Sequence, residues 1–164
     1  MNKLNQNQII CDFWDTPIIN LQFIWFSKQL NSGRSNYFFF ETDIDAPAGP
    51  IYVMSIGSKE TVKTSEEGDS TYRINQLLES SPRPSNGIRK RSFKVWNSPL
   101  ALEACLRLGI SEKEYDGTEK FQYVVLTQNE TIEFVSLKEP KWETYEGIEL
   151  NDLVLQFLKK DSSS

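Results

Sequence analysis

The sequence predicts an α+β domain: a mostly antiparallel sheet of about five or six strands with two or three helices packed on one of its faces. Three observations lead there. Runs rich in aromatic and β-branched residues recur in pairs around turn signals, as in "NYFFFETDI" then "GPIYVMSIG", and in "EKFQYVVLTQNETIEFVSL". Amphipathic stretches with Pro near the start and Gly past the end sit between them, as in "NSPLALEACLRLG". The two kinds do not alternate strictly, which argues against a parallel βαβ sheet. Residues 1–160 are expected to form one globular domain, and 161–164, "DSSS", a disordered tail.

In chain order, "WDTPIINLQFIWFSKQLNSG" reads as a mostly buried helix. Asp15 or Thr16 caps it, Pro17 takes the first helical position, and Gly33 lies past its end. Two strands follow, joined by residues 46–50. Residues 58–69 are charged and lack apolar periodicity, so they read as a loop. "STYRINQLL" is ambiguous between strand and helix, and "SSPRPSNG" is a turn-rich connector. "IRKRSFKVW" alternates apolar and basic residues and reads as a strand. Ser98, Pro99 and Gly109 punctuate a second helix, and "SEKE" at 111–114 matches a capping box. "EKFQYVVLTQNETIEFVSL" is a hairpin. "LNDLVLQFLKK" closes the chain as an amphipathic helix, with Asp152 near its start and Lys159 and Lys160 near its end, as the helix dipole favours.

Composition narrows function by exclusion. The chain of 164 residues contains no histidine, which removes His-based triads, imidazole zinc sites and the usual general base near neutral pH. The net charge of −5 argues against general nucleic-acid binding, which needs a basic surface. The longest apolar patch, "IINLQFIWF", is far shorter than the roughly 20 residues of a membrane helix. The start carries no apolar leader region, so the expectation is a cytoplasmic protein that does not enter membranes. Cys11 and Cys105 are expected to be buried thiols in apolar runs rather than nucleophiles.

Three clusters remain as candidates. Glu41, Asp43 and Asp45 follow "FFF" on alternate strand positions. They are either hard-cation ligands or the wet face of a strand whose other face is aromatic, and the second reading is preferred. Arg89, Lys90 and Arg91 lie in a stretch, 82–100, that holds no acid. They are either an anion or partner contact, or the charged guard of an edge strand, the latter preferred. From residue 101 onward there are thirteen acids against seven bases. Within that region Trp142 and Tyr145 stand among Glu143, Glu146 and Glu149. The two rings are either anchors for a partner, ringed by steering charges, or pack against the sheet with their polar tips outside, neither reading preferred.

The order of capped helix, Gly-bounded turn, aromatic strand, Gly-Pro loop and second strand resembles that of small bacterial inhibitor or immunity proteins, over less than half of the chain. That resemblance, with the missing chemistry and the acidic balance, leads to the expectation of a non-catalytic binding protein without cofactor or metal. It would neutralise a partner protein, one with a basic surface, by steric occlusion. The alternatives are a carboxylate-based metal-dependent enzyme or small-ligand binder, and an accessory subunit of a larger assembly.

Overall fold

A computed structural model describes residues 10–43, 49–57, 62–66, 90–107, 109, 111, 113–114, 121–136 and 138–162. Among these are nine strands and two helices: β1 Ile10–Phe13, β2 Trp25–Asn31, β3 Ser35–Glu41, β4 Ile51–Gly57, β5 Val62–Glu66, β6 Ser92–Trp96, α1 Pro99–Arg107, β7 Phe121–Leu126, β8 Glu130–Ser136, β9 Lys141–Tyr145 and α2 Leu150–Ser162. They form two antiparallel sheets, one in the order β1-β6-β7-β8-β5 and one in the order β2-β3-β4-β9. The α+β class stands, but a single sheet with helices on one face does not.

The sheets share one core. Phe38, Phe40, Met54 and Ile56 from the four-stranded sheet meet Tyr123, Val125, Ile132 and Phe134 from the five-stranded one, with Trp14, Ile18 and Ile24 wedged among them. Trp14 is the rivet: its ring lies 4.6 Å from that of Tyr123 and 5.8 Å from that of Trp142. Alternation then turns Tyr37, Phe39 and Val53 to the other face of the four-stranded sheet, where Leu153, Val154 and Phe157 of α2 cover them. This explains the "FFF" run. Both faces of β3 are dry, so the expected wet face is corrected: Phe39 is fully buried, with its ring 5.5 Å from that of Phe157. Helix α1 packs through Leu100 and Ala101 on Val135, on the outer face of the five-stranded sheet. The helices therefore flank the sandwich from opposite sides.

The expected first helix is absent. Residues 17–20 form a turn, closed by Ile19 N–H to the Thr16 carbonyl, and the chain then enters β2. Ile, Phe and Trp dominate this stretch, and all lose rotamer freedom in a helix but pack well on a pleated sheet. In β2, Phe26 gains ring contacts with Phe38 and Phe40 at 6.0 and 5.9 Å. Gly33, read as a helix stop, instead takes φ 85° in the turn between β2 and β3. The element order that carried the resemblance to inhibitor and immunity proteins is thus not that of the fold.

Other corrections are smaller. β5 runs through the stretch expected to be a loop, and β1 and β9 are short edge strands that were not anticipated. β6 lies between β1 and β7, so the basic strand is not an edge. The helix from Leu150 extends to Ser162, into the expected tail. The segments "STYRINQLL" and "SSPRPSNG" lie outside the described residues.

The other local signals hold. Ser98 Oγ accepts from Ala101 N–H at 3.0 Å, capping α1, and Gly109 follows the helix with φ 81°. Ser111 and Glu114 exchange reciprocal side-chain to backbone bonds at 3.3 and 3.4 Å, the expected capping box. β7 and β8 form the expected hairpin, with Tyr123 opposite Phe134. Among the described residues no helix is long and apolar enough to cross a membrane.

Candidate functional site

Trp142 and Tyr145, read as contact anchors or as rings packed on the sheet, lie three residues apart on β9 and so point to opposite faces. The Trp142 ring enters the space between the sheets, 5.6 Å from Phe40 and 5.8 Å from Trp14. Its indole Nε1 is buried without a hydrogen-bond partner among the described residues. Tyr145 packs on the α2 side, 5.9 Å from the Phe157 ring, and its hydroxyl donates to Glu143 Oε2 at 2.9 Å. Burial, that bond and the charge on Glu143 push its phenol up to about 12. Both rings are partly buried and serve packing.

The acids around them behave otherwise. Glu143, Glu146 and Glu149 are all exposed. They run from the edge strand β9 through the turn that enters α2, where the Glu149 carbonyl accepts the first helical bond from Leu153 N–H at 3.0 Å. None of the three is in an ion pair among the described residues. Glu146 is close enough to Tyr52 for its charge to add to burial in raising that phenol.

Lys90 and Arg91 are turned to internal use. Lys90 Nζ donates to Asn20 Oδ1 and stands 5.7 Å from the Phe13 ring centre. Arg91 donates from Nε to the Leu21 carbonyl at 3.1 Å and from Nη2 to the Gln22 carbonyl. Its own amide donates to the Ile19 carbonyl at 3.1 Å. These two residues fasten the turn at 17–22 to the five-stranded sheet, where carbonyls without a ladder partner need donors. Arg89 lies outside the described residues.

Of the three carboxylates after "FFF", Glu41 is half-buried at the end of β3, Asp43 is exposed, and Asp45 lies outside the described residues. No group of three acids, cysteines or histidines that could hold a metal occurs among the described residues. Both cysteines are buried and free of disulfide. Burial, with the Asp12 charge beside it, pushes the Cys11 thiol up to about 11, so it stays protonated and is a poor nucleophile at neutral pH.

Two features were missed from sequence. Glu133 is a buried carboxylate on the outer face of the five-stranded sheet and accepts from Gln122 Nε2 at 2.8 Å. Alternation of "TIEFV" with its neighbour strand would have placed it there. The second is a ring pair at the surface. Phe23 is 50% exposed and stacks on the partly buried Trp25, with ring centres 6.1 Å apart and planes 15° from parallel. Reading this stretch as a mostly buried helix hid the pair, because it counted the apolar residues there as core. Comparison of the chain with protein-family models, with curated proteins and with solved structures finds no match.

Proposed function

We propose that this chain is a non-catalytic acidic protein of the cytoplasm that binds another protein. It neutralises a partner of basic surface by covering it, in the manner of an inhibitor or immunity protein. The observation that carries this reading is the row of Glu143, Glu146 and Glu149, exposed along the β9 edge and the entry to α2 with no cation paired to any of them among the described residues. Acids held on a rigid edge without a counter-charge speed encounter with a basic surface and set its orientation. Trp142 and Tyr145 contribute by holding β9 in place, one toward each neighbouring layer.

The test is capture from native lysate by the purified chain at moderate and at high salt. The wild type is compared with a variant carrying Glu143→Lys, Glu146→Lys and Glu149→Lys, after thermal melts establish that the variant is folded. The expected result is one stoichiometric protein, retained at moderate salt, released at high salt, and not retained by the variant. Retention indifferent to both salt and charge reversal overturns the reading, as does no retained protein at any salt concentration.

A further inference from the structure

We propose that exposed Phe23 and partly buried Trp25, together with Glu41, form a seat for an arginine side chain of a protein partner. The proposal rests on the reading of the chain as a binder of a basic protein, but it uses residues of β2, its approach and β3 rather than the three acids of that reading.

Aromatic rings normally go inside this fold. Phe26, Phe38, Phe39 and Phe40 all pack in core clusters, whereas neither Phe23 nor Trp25 belongs to one. Half of Phe23 remains in water. The pair is not left outside by slackness of the chain, because the backbone around it is pinned. Gln128 N–H donates to the Ile24 carbonyl at 2.8 Å. Asn129 takes both backbone groups of Phe26, accepting its N–H at 3.0 Å and donating to its carbonyl at 2.8 Å. Ile24, between the two rings, is fully buried in the core. The rings are thus displayed from a fixed mount, so a ligand does not bear the entropy of ordering them.

The register supplies the charge. Trp25 is the antiparallel partner of Glu41. Directly opposed residues share a face of the sheet, with Cβ atoms about 5 Å apart, so the Glu41 and Trp25 side chains leave the sheet side by side. Lys28, the nearest cation along β2, pairs with Phe39, two residues from Glu41 along β3 and on the same face, yet no ion pair joins it to Glu41 among the described residues. A flat aromatic surface with a carboxylate at its rim matches the guanidinium group. That group stacks face to face on a ring while its in-plane N–H donors reach a carboxylate, and it gives up water more readily than an ammonium does. A lysine would find the charge but not the flat contact, and a neutral ring the contact but not the charge.

The probe is the peptide acetyl-Gly-Arg-Gly-Arg-Gly-amide, titrated into the full chain labelled with nitrogen-15. The readout is the indole N–H resonance of Trp25, identified from its loss in Trp25→Phe. A saturable shift at millimolar peptide is expected, confined to Trp25 and the amides near Phe23 and Glu41. It should weaken by roughly threefold when lysine replaces arginine, and vanish with citrulline, which keeps the shape and loses the charge. Phe23→Ala and Glu41→Gln should each weaken it by a similar factor while the melting temperature stays put, since Phe23 is half exposed and Glu41 lies at a strand end. No saturable shift, an equal shift with citrulline, or indifference to Glu41→Gln overturns the seat. If the peptide fails while charge reversal on β9 still abolishes capture, the seat falls and the proposed function stands. If the peptide binds while capture ignores charge reversal, the seat stands and the proposed function falls.

Discussion

Trp14 and Trp142 touch each other in the space between the sheets, yet their indole nitrogens have opposite fates. Trp14 Nε1 donates to Glu139 Oε1 at 3.0 Å, whereas Trp142 Nε1 is buried with no partner among the described residues. Replacing each by Phe removes a similar part of a ring and differs chiefly in that one group. At position 14 the change loses a charge-assisted bond, but Glu139 is exposed and returns to water, so the cost is about 2 kcal/mol including the shrunken ring. At position 142 the same loss of ring is offset by removing a donor whose desolvation already costs ~1–3 kcal/mol, leaving a change within about 1 kcal/mol of zero. Trp142→Ala has no such offset. It opens a gap against Phe40 and Trp14 and should cost about 3 kcal/mol, somewhat below the range for fully buried rings because Trp142 is only partly buried. Urea unfolding of the three variants, with m compared to the wild type, measures all of this. Equal costs for the two Trp→Phe changes, or a larger one at 142, would refute the reasoning about the orphaned nitrogen. A loss under about 1 kcal/mol for Trp142→Ala would refute the packing role and return that ring to the surface as a contact anchor.

Two further predictions bear on the sheet seam and on pH. Asn129→Ala removes both bonds to the Phe26 backbone and should cost about 1–2 kcal/mol, with faster hydrogen exchange at the Phe26 amide and little change in the centre of β3. Unchanged exchange at Phe26 would show that the seam is held elsewhere. Tyr123 is buried and has its phenol pushed up to about 12, by burial first and the Glu139 charge second. Its folded pKa is raised, so its contribution is intact below the unfolded value of about 10 and is lost as pH climbs through 12. Cys11, raised to about 11, acts the same way from about pH 9 upward. Melting temperature should therefore fall progressively between about pH 9 and 12, and the fall should be smaller in Tyr123→Phe; an equal fall in that variant would remove Tyr123 as a cause.

Signals that act within a few residues were legible in the sequence. Ser98 with Pro99, the Ser111 and Glu114 box, the turn between β7 and β8, and the dipole-matched ends of α2 all sit where local chemistry places them. What depended on a distant partner was not legible. Residues 15–33 carry sound helix punctuation, but the gain from docking Phe26 on Phe38 and Phe40 belongs to β3 and cannot be seen from within the stretch. The same holds for β1 and β9, each five residues or fewer, whose strand character comes from pairing with β6 and β4. For the candidate site, the acids at 143, 146 and 149 are on the surface as their charge demands, while Trp142 and Tyr145 pack on opposite layers, because alternation along β9 separates them. The seat at Phe23 and Trp25 was hidden by the helix reading itself.

The bland account of the β9 acids is edge protection. The four-stranded sheet has two edges, and β2 is already guarded by an irregularity between Phe26 and Lys28 and by the Asn129 side chain on its backbone. β9 shows neither device among its described residues, so charges there also discourage a second chain from adding to the sheet. Protection and steering differ in one physical respect. A charged residue blunts an edge whatever its sign, because what it opposes is the burial of any charge between strands. Attraction to a basic partner depends on sign alone. Alanine at 143, 146 and 149 would weaken both and separate nothing. Lysine keeps the guard and inverts the field, so a lysine variant that stays monomeric, melts normally and loses its partner assigns the acids to recognition. A variant that is monomeric and still captures the same protein assigns them to the edge.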